Sequence, residues 1–376
     1  MSRLILVTGG AGFIGSHLVD ALLARGDRVR VLDDFSTGRH ENLADCLAGI
    51  ELFEGDVRDL SLVRRAVAGC DGVLHEAAVA SVTRSIEDPA GAGSATHGGT
   101  VNVATVARHA GVRGFVLASS CAVYGDTDEL PIGEDAQPQP LSPYALAKLL
   151  SEGVCRSEAL EPAGGLSEPL RESLGVDDGA RDARDTDLGA MRAVSLRYFN
   201  VYGPRQDPSS EYSGVIARFI EVAAAGSGAR DEAAARSGAR DDAPPYVVYG
   251  DGRQSRDFVF VADVVAANLL ALNACFGRAG ADGPARGAAG GDAVNGAVLN
   301  VGTGVSVDLL EIIAESERLC GRDGEARIDF RPPREGDIRA SQADIARARR
   351  MLGYEPAVGF ADGLAATYEW YVAHGR

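Results

Sequence analysis

Two groups of residues have types and spacing that could do chemistry. In SPYALAK, Ser142 can cap a helix and Pro143 suits its first turn, which places Tyr144 and Lys148 one turn apart on the same face. A tyrosine is a poor base near neutrality, but an ammonium a few ångströms away favours the phenolate, so the two read as an acid/base pair. Tyrosine and lysine meet at this spacing by chance on many helices; Lys148, however, is the only lysine in the chain, which argues against chance. The second group is VTGGAGFIGSHL, where Gly9, Gly12 and Gly15 follow an apolar run and open a helical one. Backbone amides at that helix N-terminus can approach a pyrophosphate with no side chain in the way. The next apolar run ends in Asp33, where a carboxylate accepts hydrogen bonds from an adenosine ribose and repels a 2′-phosphate. That favours NAD over NADP, although Arg39 nearby acts in the opposite sense.

The elements that must hold these residues alternate in kind. Apolar, β-branched runs at 3–8, 28–34, 50–57, 72–78 and 114–120 are separated by helical patterns. Continuous apolar strands with helices between them imply a parallel sheet covered on both faces, a doubly wound α/β (Rossmann) fold. Runs at 193–200 and 298–304 extend the same sheet. Three stretches, 158–190, 226–244 and 277–297, are rich in Ala, Gly, Arg and Asp and poor in large apolar residues, and SGARD occurs twice within the second. They read as flexible surface insertions that add little to a core.

Composition bounds the function. A chain of 376 residues is too long for one small module, and 45% hydrophobic with 24% charged residues excludes wholesale disorder and fibrous architectures. The net charge of -17 argues against nucleic acid or an anionic membrane as partner, so an anionic ligand needs locally placed arginines. Six scattered cysteines without a C-x-x-C pair suggest neither a zinc site nor a disulfide scaffold, and His75 and His97 lack partners at metal spacing; no metal is expected. The N-terminus shows no signal-peptide pattern and no run approaches the ~18 apolar residues of a membrane span, which leads to the expectation of a cytoplasmic protein.

Taken together, TGGAGFIG, Asp33, LHEAAVASVTRSIEDP, SSCAVYG, YALAK, LRYFNVYGPRQDP, YGDGRQSRDFVFVADV, NVGTG and PPREGDIRASQAD resemble the extended short-chain dehydrogenase/reductases, specifically the NAD-dependent UDP-sugar 4-epimerases. The resemblance spans nearly the whole chain outside the three insertions. It implies a Rossmann domain of 1–198 and 255–304, a smaller discontinuous nucleotide-sugar domain of 199–254 and 305–376, bound NAD, and a homodimer.

The resemblance also implies a catalytic triad of Ser120, Tyr144 and Lys148. Ser120 would hydrogen-bond the sugar 4-hydroxyl, Tyr144 would remove its proton while hydride leaves C4, and Lys148 would bind the nicotinamide ribose. Around the cofactor it implies Phe13 and Ile14 beside the glycines, then Asp56, Val57, Ala77 and Thr96, the last standing where the family usually has Asn. Arg256 and Arg334 match the diphosphate-binding arginines, Asn200 a polar contact to the same group, and Asp337 a uridine-ribose contact. Ser341, with Ser81 and Gly214, matches a sugar pocket that is roomy enough for an N-acetyl group. Cys121 and Ala122 stand where related dehydratases carry an Asp-Glu pair, and decarboxylases keep a Glu at the second position. Without that extra acid/base, reversible oxidation at C4 is the reaction left. The competing readings are another nucleotide-sugar enzyme, such as a uronate epimerase, and a catalytically silent NAD-binding sensor.

Overall fold

The computed structural model describes residues 2–160, 191–207, 215–226, 244–277, 294–322, 326–333 and 338–374. The three expected insertions lie almost wholly outside them.

Five strands and five of the helices between them fill the first part of the chain: β1 (Leu4–Thr8), α1 (Phe13–Ala24), β2 (Arg28–Asp33), β3 (Ile50–Glu54), α2 (Leu60–Val67), β4 (Gly72–His75), α3 (Val82–Glu87), α4 (Pro89–Gly93), α5 (Gly99–His109) and β5 (Gly114–Ser120). There follow α6 (Pro143–Leu160), β6 (Arg192–Tyr198), β7 (Asn200–Tyr202), α7 (Val215–Gly226), β8 (Tyr246–Tyr249), β9 (Ser255–Phe260), α8 (Val261–Cys275) and β10 (Ala297–Val301). The chain ends with β11 (Ser306–Asp308), α9 (Leu309–Leu319), β12 (Ile328–Arg331), α10 (Ala346–Leu352) and α11 (Phe360–Ala373).

Seven strands form one sheet in the order β10-β6-β5-β4-β1-β2-β3, every pair parallel. This is the expected doubly wound α/β arrangement with one strand added at the β6 edge. The alternation of a strand explains the two apolar layers. In β1, Ile5 and Val7 join Leu18 of α1 and Leu272 of α8 on one face, while Leu4 and Leu6 join Val63 of α2 and Val103 of α5 on the other. A third cluster lies outside this sheet, with Tyr202, Phe219, Tyr246, Ile312 and Tyr371 at its centre.

The strand pairing draws the internal boundary differently from 255–304 as one block. β9 pairs with β7 and β11 in a separate three-stranded sheet, and its alternation sends Phe258 into the third cluster and Val259 into the first. Conversely Ala343, Ile345, Ala348 and Leu352, within the expected smaller domain, pack with the seven-stranded sheet.

Candidate active site

The carboxyl ends of the central strands converge on one crevice, where the strand order reverses between β1 and β4. Between β1 and α1 the chain turns through Gly9, whose φ of +68° is the left-handed region. A Cβ on Gly15 would stand 2.1 Å from the Gly9 carbonyl, so only glycine lets α1 approach the turn this closely. Gly12 caps α1 without a side-chain hydrogen bond, leaving first-turn amides to face a ligand. At the end of β2, Asp33 accepts hydrogen bonds from Ala11 N at 2.9 Å and Phe35 N at 2.8 Å. Burial pushes its carboxyl up, and these two amides work against that.

A cavity of about 670 Å³ runs along this crevice. Of the residues expected at the cofactor, Gly9, Gly12, Phe13, Ile14, Gly15, Asp33, Asp56, Val57 and Ala77 line it, and so does Ser81, expected at the sugar. Asp56 is held below the usual carboxylate range by the Arg58 guanidinium. Thr96 lies buried in a π-helical turn, Ser94–Gly98, with its hydroxyl accepting from Val79 N at 3.1 Å. It therefore supports the lining segment at Val79.

The catalytic candidates come from two neighbouring elements. Ser120 ends β5, and its Oγ accepts from Ala122 N at 3.1 Å. Ser142 caps α6 as its sequence suggests, accepting from Ala145 N at 3.1 Å, and the Tyr144 amide donates to Ser85 Oγ at 3.1 Å. Ser120 stands near enough to the Tyr144 phenol to favour its ionisation. Lys148 is 4% exposed; its Nζ donates to the Ala118 carbonyl at 2.6 Å and lies 6.0 Å from the centre of the Tyr144 ring.

In this geometry burial is the largest influence on the Tyr144 phenol. Burial pushes the phenol up to about 12, Cys121 and Glu76 push the same way, and Ser120 opposes them. The Lys148 ammonium is turned to the Ala118 carbonyl, and burial holds it below the ordinary lysine value. Burial also pushes the Cys121 thiol up to about 12, against the pull of Arg256, which makes it a poor nucleophile.

Arg256 thus lies within electrostatic reach of the bend that follows Ser120. Asn200 joins it through β7–β9 pairing, its Nδ2 donating to Asp257 O at 3.3 Å. Ser341 N donates to Ser255 O at 3.0 Å, beside Arg256, and the side chain is buried. Arg334, Asp337 and Gly214 lie outside the described residues.

The chain matches the NAD dependent epimerase/dehydratase family over residues 5–281. It belongs to that family. A UDP-glucose 4-epimerase of Mycolicibacterium smegmatis is 38% identical over 370 residues, 97% of each chain. The structure of a UDP-glucose 4-epimerase with UDP-glucose from Thermotoga maritima matches with a TM-score of 0.74 and 31% identity, covering 99% of this chain and 100% of that one. A Thermus thermophilus UDP-glucose 4-epimerase in complex with NAD matches with a TM-score of 0.71 and 32% identity over 98% of both chains.

The NAD dependent epimerase/dehydratase cofactor fits the crevice. The glycine cradle would be filled by any Cβ, and Asp33 stands at the ribose end of the same wall. Arg39, which could have met a 2′-phosphate, is ion-paired with Asp207. Three features of this family member escape a reading by motif. Glu76, at the cavity wall, accepts a hydrogen bond from the Tyr198 hydroxyl at 2.8 Å; a charged residue directly after the apolar β4 was its signal in the sequence. The Arg39–Asp207 pair joins residues 168 positions apart and had no local signal. A second cavity of about 440 Å³, lined by Tyr249, Gln254, Arg331 and Arg339 among others, flanks the segment leading to Ser341.

Proposed function

We propose that the protein is an NAD-dependent isomerase that inverts C4 of a UDP-hexose through a 4-keto sugar. The observation that carries this reading is the meeting of Ser120 and Tyr144 next to the dinucleotide crevice, with Cys121 and Ala122 where a further acid or base would have to stand. NAD, when bound, supplies a reversible acceptor for the electron pair leaving C4.

The chain's own residues handle the proton and the anion. Tyr144 takes the proton from the 4-hydroxyl and returns it once the sugar has turned over, while Ser120 holds the hydroxyl in line. Burial makes the phenolate costly, and Ser120 beside it offsets part of that cost. Lys148, pinned to Ala118 O, keeps two N–H groups for the cofactor side. Arg256 balances the diphosphate charge with Asn200 beside it, Arg334 and Asp337 complete the nucleotide contacts, and the second cavity receives the uridine end. Ser341, Ser81 and Gly214 are small residues at the positions expected around the sugar, so both UDP-glucose/UDP-galactose and UDP-GlcNAc/UDP-GalNAc belong to the proposed substrate range.

A homodimer accompanies this reading. Val101 on α5 and Leu146 and Leu150 on the adjacent α6 are exposed apolar side chains on packed neighbouring helices, a surface a second copy would cover. A cytoplasmic site of action accords with six cysteines that are all free. No described helix is long and apolar enough to cross a membrane.

The test is proton NMR of the purified protein incubated, without added NAD, with UDP-glucose and separately with UDP-N-acetylglucosamine. Appearance of the C4 epimer supports both the reaction and a retained cofactor, and the ratio of rates reports on the Ser341 pocket. If neither sugar changes after NAD is supplied, a uronate epimerase or a silent sensor replaces this reading.

A further inference from the structure

At the ribose end of the crevice the loop leaving β2 folds back onto Ala11, in the turn before α1. Ala11 N donates to Asp33 Oδ2 at 2.9 Å, while Ala11 O accepts from Arg39 N at 3.0 Å and from Asn42 Nδ2 at 2.8 Å. Gly38 makes the return possible: a Cβ there would stand 2.7 Å from Asp33 Oδ1 and 2.9 Å from the Ala11 side chain. Arg39 follows at once, so its side chain starts beside the carboxylate that receives the ribose, and both residues line the cavity. A carboxylate in that place suits a 2′-hydroxyl, and a guanidinium suits a 2′-phosphate.

The guanidinium of Arg39 is held by the opposite wall, where its Nη2 donates to Asp207. Asp207 arrives on a segment fastened at three consecutive residues. Pro204 O meets His17 Nε2 at 2.9 Å, Arg205 pairs with Asp20 at 2.8 Å, and Gln206 O accepts from the Tyr371 hydroxyl. His17 and Asp20 belong to α1, the helix that opens at the glycine turn, so the Asp207 carboxylate is placed relative to the cofactor wall itself. The side chains of the pair are 34% and 33% exposed, and a pair this open to water contributes little to stability. Its consequence lies in where it holds the guanidinium.

We infer that Asp207 is a cofactor-selectivity residue acting through Arg39: by holding the guanidinium, it withholds from a 2′-phosphate a cation that stands beside Asp33. The two carboxylates divide the task. Asp33 accepts the ribose hydroxyl and repels a phosphate directly, and Asp207 removes the charge that would compensate that repulsion. The ion pair must break before Arg39 can hydrogen-bond a phosphate, so its cost falls on NADP; NAD, with a neutral hydroxyl there, makes no such demand. The inference concerns the dinucleotide crevice and does not depend on the sugar chemistry.

The full-length protein, freed of resident nucleotide with charcoal, is titrated with NAD and with NADP by calorimetry. Asp207→Asn should tighten NADP about tenfold while leaving NAD unchanged and still preferred, because Asp33 remains. Asp207→Glu keeps the carboxylate and should bind both cofactors as the wild type does. Adding Arg39→Ala to Asp207→Asn should abolish the gain. An NADP affinity in Asp207→Asn equal to wild type overturns the inference, and so does a gain that survives in the double variant, since Asp207 would then act by its own charge alone. Should Asp207→Asn fail to fold, Asp207→Ser takes its place. If resident nucleotide resists removal, each variant is refolded from guanidinium chloride in an equimolar NAD and NADP mixture, and the ratio of extracted cofactors is read with the same expectations. Absence of UDP-sugar turnover would sink the epimerase reading alone, since no sugar enters these measurements.

Discussion

Tyr144 must lose and regain a proton in surroundings that resist its ionisation. Its hydroxyl is the group no neighbour can replace: Cys121 is held protonated and Ala122 has nothing to offer. Tyr144→Phe should lower kcat by about 10²- to 10⁴-fold while retaining NAD, checked by NMR turnover beside the cofactor absorbance of the purified variant. His75 shows the opposite use of burial. The Thr100 hydroxyl donates to Thr96 O at 2.7 Å, so it accepts from His75 Nε2–H at 3.0 Å, and Nδ1 accepts from the Thr8 hydroxyl at 2.7 Å. Both ring nitrogens are satisfied by neutral imidazole, and burial lowers its pKa to about 3 from 6.5. Between those values the unfolded chain binds a proton that the folded one refuses. Stability therefore rises with pH through that window and falls on acidification, by about 1.4 kcal/mol per unit from this residue alone. Urea unfolding at pH 7.5 and 5 should show a shallower loss for His75→Gln than for wild type; equal losses would remove His75 as the cause.

At the scale of elements, placement of α6 decides whether the site exists. The helix is capped by Ser142, tied to α3 through Ser85, and locked to β5 and β6 by Glu152. The Glu152–Arg197 pair is bidentate and nearly inaccessible, with side chains 6% and 5% exposed. Arg197 also lies over the Tyr124 ring, whose hydroxyl donates to Asn300 of β10 at 2.6 Å. Removing one partner strands the other's charge without water. Glu152→Ala should cost about 3–5 kcal/mol of stability, measured by denaturant titration. A cost near zero would mean that Arg197 finds another anion.

The whole molecule closes over the crevice from the far side. Residues after β7 reach back to the Rossmann unit: Pro204 O meets His17 Nε2 at 2.9 Å, Arg205 pairs with Asp20 at 2.8 Å, and Asp207 pairs with Arg39. Arg205, Gln206 and Asp207 thereby become part of the cavity wall, although they belong to the chain beyond β6. On α5 and α6, Val101, Leu146 (47% exposed) and Leu150 (48% exposed) stay uncovered in the single chain. Replacing both leucines with Glu should convert a dimer to a monomer in sedimentation equilibrium, with UDP-sugar turnover retained. A wild type that sediments as a monomer would refute the proposed dimer outright.

Much of this was legible in the residues alone because it rests on short-range geometry. Three glycines spaced along one turn, an acidic residue at the next strand end, and Tyr144 and Lys148 one helical turn apart need only local backbone preferences to be recognised. Apolar runs alternating with helical patterns likewise sufficed for the doubly wound parallel sheet. Tertiary structure alone decided the rest. Glu76 and Tyr198 are 122 positions apart, and they meet only because the strand order sets β4 two places from β6. Residues 255–260 fall in the stretch the resemblance assigns to the Rossmann domain, and only their pairing with β7 and β11 sets them in a small separate sheet. Whether Tyr144 is acidified is equally beyond sequence, since spacing predicts a nearby ammonium but desolvation depends on every atom packed around the phenol.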